Sequence, residues 1–203
     1  MRGLFCVGDQ APQHPHPFTM MAKGESATSN LKLPQPCQLV KRFVTRIADS
    51  AGTLPILDVA CGSGRNAFPF QALGCRVICV DRNLSELDLT RHSSTHDQSL
   101  LFPYQMDLIS DSWPFDPSSA GAIINVHFYS PLLLRHFTDS LRPGGYLLFE
   151  TPPGCGGNHI ELPMEGEVKD RIEKSCEFEL YKERRVGPLN SRAVTVKLLA
   201  RRK

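Results

Sequence analysis

The stretch Ile56-Leu-Asp-Val-Ala-Cys-Gly-Ser-Gly-Arg-Asn-Ala67 constrains the fold of this chain more than any other. It begins as an apolar, β-branched run, Pro55 to Ala60, with the length and composition of a short strand buried on both faces. Cys61-Gly-Ser-Gly64 follows, a turn without bulky side chains, and then residues that can open a helix. Strand, glycine turn and helix start place bare backbone N–H groups beside a small ligand. Gly62 and Gly64 permit positive φ and close backbone approach. A second strand, Arg76 to Val80, ends in Asp81, 17 residues after Gly64. A carboxylate there can accept hydrogen bonds from both hydroxyls of a ribose. The pattern predicts a site for a nucleoside-bearing cofactor.

Two cofactors compete for that site. Gly62-x-Gly64-x-x-Ala67 satisfies the dinucleotide fingerprint with its permitted final alanine, which implies a nicotinamide oxidoreductase. Asp58, however, stands inside the strand end, four residues ahead of Gly62. A carboxylate at that place repels a pyrophosphate and suits the ammonium of an amino-acid-bearing cofactor. Here the chain resembles the class I S-adenosylmethionine-dependent methyltransferases, whose first motif runs from an acidic residue through small residues to glycines. Asp58-Val-Ala60-Cys-Gly62-Ser-Gly64 departs from it only in Ala60, which takes the place of the first glycine. The string Gly62-Ser-Gly-Arg-Asn-Ala67 and the small size are similar to the tellurite-resistance methyltransferase group within that class.

That resemblance covers residues 38 to 203 and implies an α/β, Rossmann-like, doubly wound sheet. Seven strands are expected, mostly parallel, with an antiparallel C-terminal hairpin strand. The pattern along the chain agrees. Val40, Phe43, Val44 and Ile47 repeat at helical spacing over 38–50. A helix over 65–73 is expected, with Pro69 distorting its first turn and Gly74 ending it. Asn83-x-x-Glu86 reads as an N-cap with its partner, opening a short helix towards His92. Leu100 to Gln105 reads as a third strand at an edge, where Pro103 is tolerated. Ala120 to Val126 is the fourth strand, Ser130-Pro131 starts the next helix, and Arg142-Pro-Gly-Gly145 turns into strand five. A helix over 164–175 and strands over 177–181 and 193–199, joined at Gly187-Pro-Leu-Asn, complete the expectation.

At 203 residues and 41% hydrophobic content, the chain suits one domain with a sizeable core, expected over residues 35–203. Residues 1 to 34, with Pro12-Gln-His-Pro-His-Pro17, are too polar and proline-rich to bury a core and read as a flexible extension. Met20 and Met21 are alternative starts within it. Seven scattered cysteines without a Cys-x-x-Cys pair indicate a reducing compartment, no disulfide framework and no metal site. No apolar run spans a membrane and no apolar leader is evident, so a cytoplasmic protein is expected.

The resemblance also implies functional residues. The cofactor-binding set is Asp58, Ala60, Cys61, Gly62, Gly64, Asn66, Asp81, Arg82, Asp107, Leu108 and Asn125. Within it Asp107 would meet the adenine amine and its apolar neighbour the ring. Methyl transfer from a sulfonium is an in-line displacement, so the protein chiefly positions and desolvates. His127, just after strand four, is the leading candidate for a base. Its ordinary reading is a helix-capping histidine. Tyr129 in the same segment and His159 in the loop over 152–163 are further candidates. Arg184, Arg185 and Arg192 could grip an anionic substrate or simply be solvated. The Asp/Asn-Pro-Pro-aromatic motif of nucleic-acid amino methyltransferases is absent after strand four, where Asn125-Val-His-Phe stands. Thr151-Pro-Pro-Gly154 follows the wrong strand and lacks the aromatic. With a net charge of +2, the expected partner is a small-molecule methyl acceptor, with no nucleic acid and no membrane. A catalytically degenerate fold serving as an interaction module is the non-enzymatic alternative, and the oligomeric state is not legible.

Overall fold

The computed structural model of the chain describes residues 34–87, 100–154 and 161–203. The expected extension at 1–34 (save Pro34), the helix towards His92 and His159 lie outside these described residues. Seven strands form one sheet in the order β3-β2-β1-β4-β5-β7-β6. They are β1 Ile56–Val59, β2 Val77–Asp81, β3 Leu101–Gln105, β4 Ala120–Val126, β5 Leu141–Glu150, β6 Cys176–Arg185 and β7 Val194–Arg202. The first five strands run parallel to one another, and β7 pairs antiparallel with both β5 and β6. This is the expected doubly wound sheet.

Strand order places the site. β1 and β4 sit side by side at the centre, while the chain leaves them towards opposite edges. The crevice outside the carboxyl ends at such a switch point is where ligands bind in open α/β sheets. Both central strands are buried along their whole length, as their continuous apolar runs require. β3 is an edge strand with four of its five residues exposed, which is how the sheet accepts Pro103.

Helices cover both faces. On one side α1, Gln38–Ala51, buries Leu39, Val40, Phe43, Ile47 and Ala51 together with Phe70 from α2, Phe68–Gln71. On the other, α3, Pro131–Ser140, and α4, Glu167–Ile172, bury Leu134, Phe137, Val168 and Ile172 against Leu147 and Leu198. Each fully buried Leu, Ile or Phe contributes about 2 kcal/mol of transfer free energy. Gly121 allows α1 to end directly against β4, because a Cβ there would lie 2.6 Å from the Ala51 carbonyl oxygen.

Two elements are shorter than their patterns predict. The helix expected over 65–73 is confined to Phe68–Gln71, after turns at 65–67 that follow the glycine turn. That expected over 164–175 keeps only Glu167–Ile172, because Gly166 enters at φ 82°. Arg142-Pro-Gly-Gly145 lies within β5 itself, at a register irregularity between Ala120 and Ala122 of β4. The Arg142 guanidinium donates to the Ser50 carbonyl, and Ser50 Oγ to the Gly144 carbonyl at 3.0 Å, tying that irregularity to the end of α1. Among the described residues no helix is long and apolar enough to cross a membrane, and the cysteines are free thiols.

Candidate active site

The site is built from the ends of β1, β2 and β4 and from the turn after β3. β1 carries Asp58 into the interior, where the residue is 1% exposed. Neither carboxylate oxygen finds a hydrogen-bond partner among the described residues. Burial therefore pushes its pKa from 3.8 up to about 7. The Arg65 guanidinium and, more weakly, the Ala67 amide oppose the rise, while the Asp81 charge adds to it. A buried carboxylate without a partner is costly, and an ammonium ligand removes that cost.

The chain then turns sharply. Ala60, Gly62 and Gly64 all have positive φ, at 58°, 51° and 76°. The alanine in place of the family's first glycine thus adopts a left-handed conformation that an L side chain resists by about 1–2 kcal/mol. Asp81 holds the turn open from β2. Its Oδ2 accepts from the Gly62 N–H at 2.9 Å, and its Oδ1 from the Asn83 N–H at 3.0 Å. Asn83 makes a local turn by accepting from the Ser85 N–H at 2.9 Å. Cys61 is buried, its N–H donating to the Val80 carbonyl. Asn66 is buried too, and its Oδ1 accepts from the Cys37 N–H at 2.9 Å, which ties the start of α1 to the glycine turn.

Beside Asp81 lies a cavity of about 260 Å³ lined by Ala60, Asp81, Arg82, Met106, Asp107, Leu108, Ile109 and Phe128. Its polar groups and apolar walls match an adenosine. Asp107 Oδ1 accepts from the Ile109 N–H at 2.9 Å, so this carboxylate caps its own loop while lining the cavity. Phe128, Met106 and Ile109 complete the lining and were not singled out from sequence. Phe128 follows the predicted strand end at a position that pattern alone does not aim.

The end of β4 is also shaped by strain and charge. Asn125 is buried and donates from Nδ2 to the Val59 carbonyl at 3.1 Å, linking the two central strands. His127 has φ 67°, and its N–H donates to the Glu150 carbonyl at 2.7 Å. Its Nδ1 lies 3.1 Å from Arg65 Nη2, and its Nε2 lies 3.8 Å from Glu150 Oε1. A guanidinium only donates, so Nδ1 accepts and the ring proton sits on Nε2. Burial, then Arg65, lowers the His127 pKa, which favours the neutral ring. Tyr129 packs its ring on Phe149, at 6.3 Å between centroids. Its hydroxyl is buried, with its pKa raised by burial and by the nearby Glu167 carboxylate. It therefore faces α4. Of the three arginines considered as anion ligands, Arg185 pairs with Glu165, whereas Arg184 lines a second cavity, of about 300 Å³, with Glu150, Thr151 and Lys197.

Residues 56–145 match the family model described as "Methyltransferase domain". Among curated proteins, the chain is 27% identical over 124 residues to tRNA N(3)-cytidine methyltransferase METTL2 of Gallus gallus, covering 55% of this chain and 34% of that protein. It is 29% identical over 112 residues to METTL2B of Homo sapiens, covering 49% and 30%. The chain thus spans about a third of the length of the curated relatives it matches. Among solved structures, TehB from Haemophilus influenzae superposes with a TM-score of 0.57 at 20% identity, covering 79% of this chain and 61% of that one. Geranyl diphosphate C-methyltransferase from Streptomyces coelicolor, solved with S-adenosyl-L-homocysteine, gives 0.57 at 14% identity, covering 79% and 76%. Residues 56–145 thus resemble a methyltransferase domain, the solved structures share the fold of the sheet, and the buried acidic strand end suits the ammonium of an amino-acid-bearing cofactor better than a dinucleotide pyrophosphate. One expectation is corrected. A small-molecule acceptor with no nucleic-acid partner was inferred from the missing amino-methyltransferase motif and the balanced charge, yet the matched relatives are tRNA methyltransferases. The physical reason is that the motif serves exocyclic amines, not ring nitrogens, and that net charge says nothing of local basic groups.

Proposed function

We propose that this chain transfers a methyl group from S-adenosylmethionine to RNA, with a ring nitrogen of a tRNA cytidine as the acceptor to test first. The observation that carries the acceptor is the match to three curated tRNA N(3)-cytidine methyltransferases. Exposed basic side chains along the same edge of the sheet support it, with Arg82 beside the first cavity and Arg184 and Lys197 beside the second. Such groups neutralise phosphates whatever the net charge of the chain.

The residues divide the work. Asp58 would hold the ammonium, Asp81 the ribose, and Asp107, Leu108 and Phe128 the adenine. Bound there, S-adenosylmethionine would supply an electrophilic methyl group, with the carbon–sulfur electron pair remaining on sulfur as the acceptor lone pair forms the new bond to carbon. The N3 lone pair of cytosine is in-plane and unprotonated at neutral pH, so no proton has to be removed. His127, with Nδ1 engaged by Arg65 and its proton on Nε2, then acts in positioning the end of β4. Tyr129 packs behind it.

The test is methyl transfer from labelled S-adenosylmethionine into separate pools of tRNA, ribosomal RNA, protein and small metabolites, followed by nucleoside digestion. Label in 3-methylcytidine from tRNA is the expected result. Label confined to protein or to small molecules refutes the proposal. His127→Ala should lower turnover without changing the shape of its pH profile, whereas loss of a proton acceptor would remove the limb that its ionisation produces.

A further inference from the structure

The second cavity carries an inference that deepens the reading above and rests on it for the identity of the acceptor. Its floor is rigid. Thr151 and Val196 exchange two bonds, the Thr151 N–H to the Val196 carbonyl and the Val196 N–H to Thr151 Oγ1, both at 3.0 Å. Gly154 lies so close to Val186 that a Cβ would sit 2.6 Å from its Cγ2. Glu150 closes the inner end. Its side chain is only 10% exposed, Lys197 Nζ meets Oε1 at 2.6 Å, and Oε2 is buried without a hydrogen-bond partner among the described residues.

Position matters as much as burial. Glu150 pairs with Val126 across β4 and β5, one strand spacing of about 4.8 Å from the segment that carries His127 and Phe128. The contacts Arg65–His127–Glu150–Lys197 run continuously from the glycine turn to this cavity. A carboxylate oxygen in that place seeks an N–H donor, and most strongly one that carries positive charge. Methylation of a cytosine ring nitrogen creates such a group, because the uncharged base becomes a cation whose charge spreads onto its exocyclic amine.

We infer that Glu150, at the inner end of the Thr151–Gly154 and Arg184–Lys197 cavity, is the acceptor-reading residue of this enzyme. Its Oε2 accepts from the exocyclic amine of the target base and stabilises the positive charge that develops during transfer. Uracil offers a carbonyl at the same place and would face a carboxylate, so the same group excludes it.

The experiment needs no turnover. The protein loaded with S-adenosylhomocysteine is titrated at pH 7 with 3-methylcytidine, a cation, and with 3-methyluridine, its uncharged counterpart of nearly the same outline. Wild type should bind the cation about tenfold more tightly, the ratio that 1.4 kcal/mol produces. Glu150→Gln should lose that preference while its affinity for S-adenosylhomocysteine stays within about twofold. Equal affinity for the two nucleosides, no binding of either, or a preference that survives in Glu150→Gln overturns the inference. The comparison on wild type stands even if the variant fails to fold. If the preference is present but tRNA receives no methyl group, the proposed function fails and the assignment of Glu150 survives. If tRNA is methylated by a wild type that shows no preference, the reverse holds.

Discussion

Replacing Asp58 with asparagine should strengthen the unliganded protein and weaken its hold on the ligand. The carboxyl is buried, has no geometric hydrogen bond among the described residues, and has its pKa pushed up from 3.8 to about 7. That rise, at about 1.4 kcal/mol per pH unit, makes the ionised form about 4 kcal/mol less favourable in the fold than in the unfolded chain. Below pH 4 both states hold the proton and nothing is lost. Between about 4 and 7 the unfolded chain releases it first, so wild-type stability falls as pH rises, levelling off above 7. Asparagine carries no such dependence. The difference in Tm between Asp58→Asn and wild type should therefore be small near pH 4 and grow in favour of the variant to about 10 °C at pH 8, at about 2–4 °C per kcal/mol for a chain of this size. Other titrating groups cancel in that difference. Adding S-adenosylhomocysteine should cancel most of that advantage at pH 8 if its ammonium pairs with the ionised carboxylate, because losing one partner of a buried pair costs about 3–5 kcal/mol. Differential scanning calorimetry from pH 4 to 8, with and without that ligand, reads both effects. A Tm difference independent of pH, or equal ligand stabilisation of the two proteins, would refute the reasoning.

Asp81→Ala removes the acceptor of the Gly62 and Asn83 N–H groups as well as the expected ribose ligand. Calorimetric titration with S-adenosylhomocysteine should show a loss of about 1.5–3 kcal/mol, and an unchanged affinity would show that Asp81 does not hold the ribose. Ala60→Gly relieves a side chain at φ 58° and should stabilise the fold by about 1 kcal/mol in urea unfolding, after the added flexibility of the unfolded chain is counted. A destabilised variant would mean that the methyl group of Ala60 packs better than its backbone is strained.

The sheet was legible because its central strands are unbroken apolar runs with turn residues at both ends, and β4 matches its expected span of Ala120–Val126. Pro103 marked the edge correctly. Helix ends were not legible where tertiary contacts rule. Gly166 trims α4, and the turns after the glycine loop shorten α2, in ways that periodicity does not encode. Within the candidate site, Asp58 and Asp81 stood out because a carboxylate at a strand end is unusual, and Asp107 because the family resemblance pointed to it. Phe128 and Glu150 did not, since each owes its place to a neighbouring strand. The acceptor was misread for a related reason. The absence of one recognition motif does not exclude a whole substrate class, because different nucleophilic atoms demand different surroundings.

The bond between Cys37 and Asn66 places the chain's entry into the domain within reach of the cofactor turn. The Cys37 thiol also receives the Val40 N–H, so one residue both ties the start of α1 to the glycine turn and caps the helix. A ligand seated on the glycine turn would restrain Asn66 and, through this bond, the Cys37 amide. Amide exchange at Cys37 should slow on cofactor loading, although the residue belongs to no strand of the sheet. Protection of that one amide is therefore a gauge of occupancy at the glycine turn.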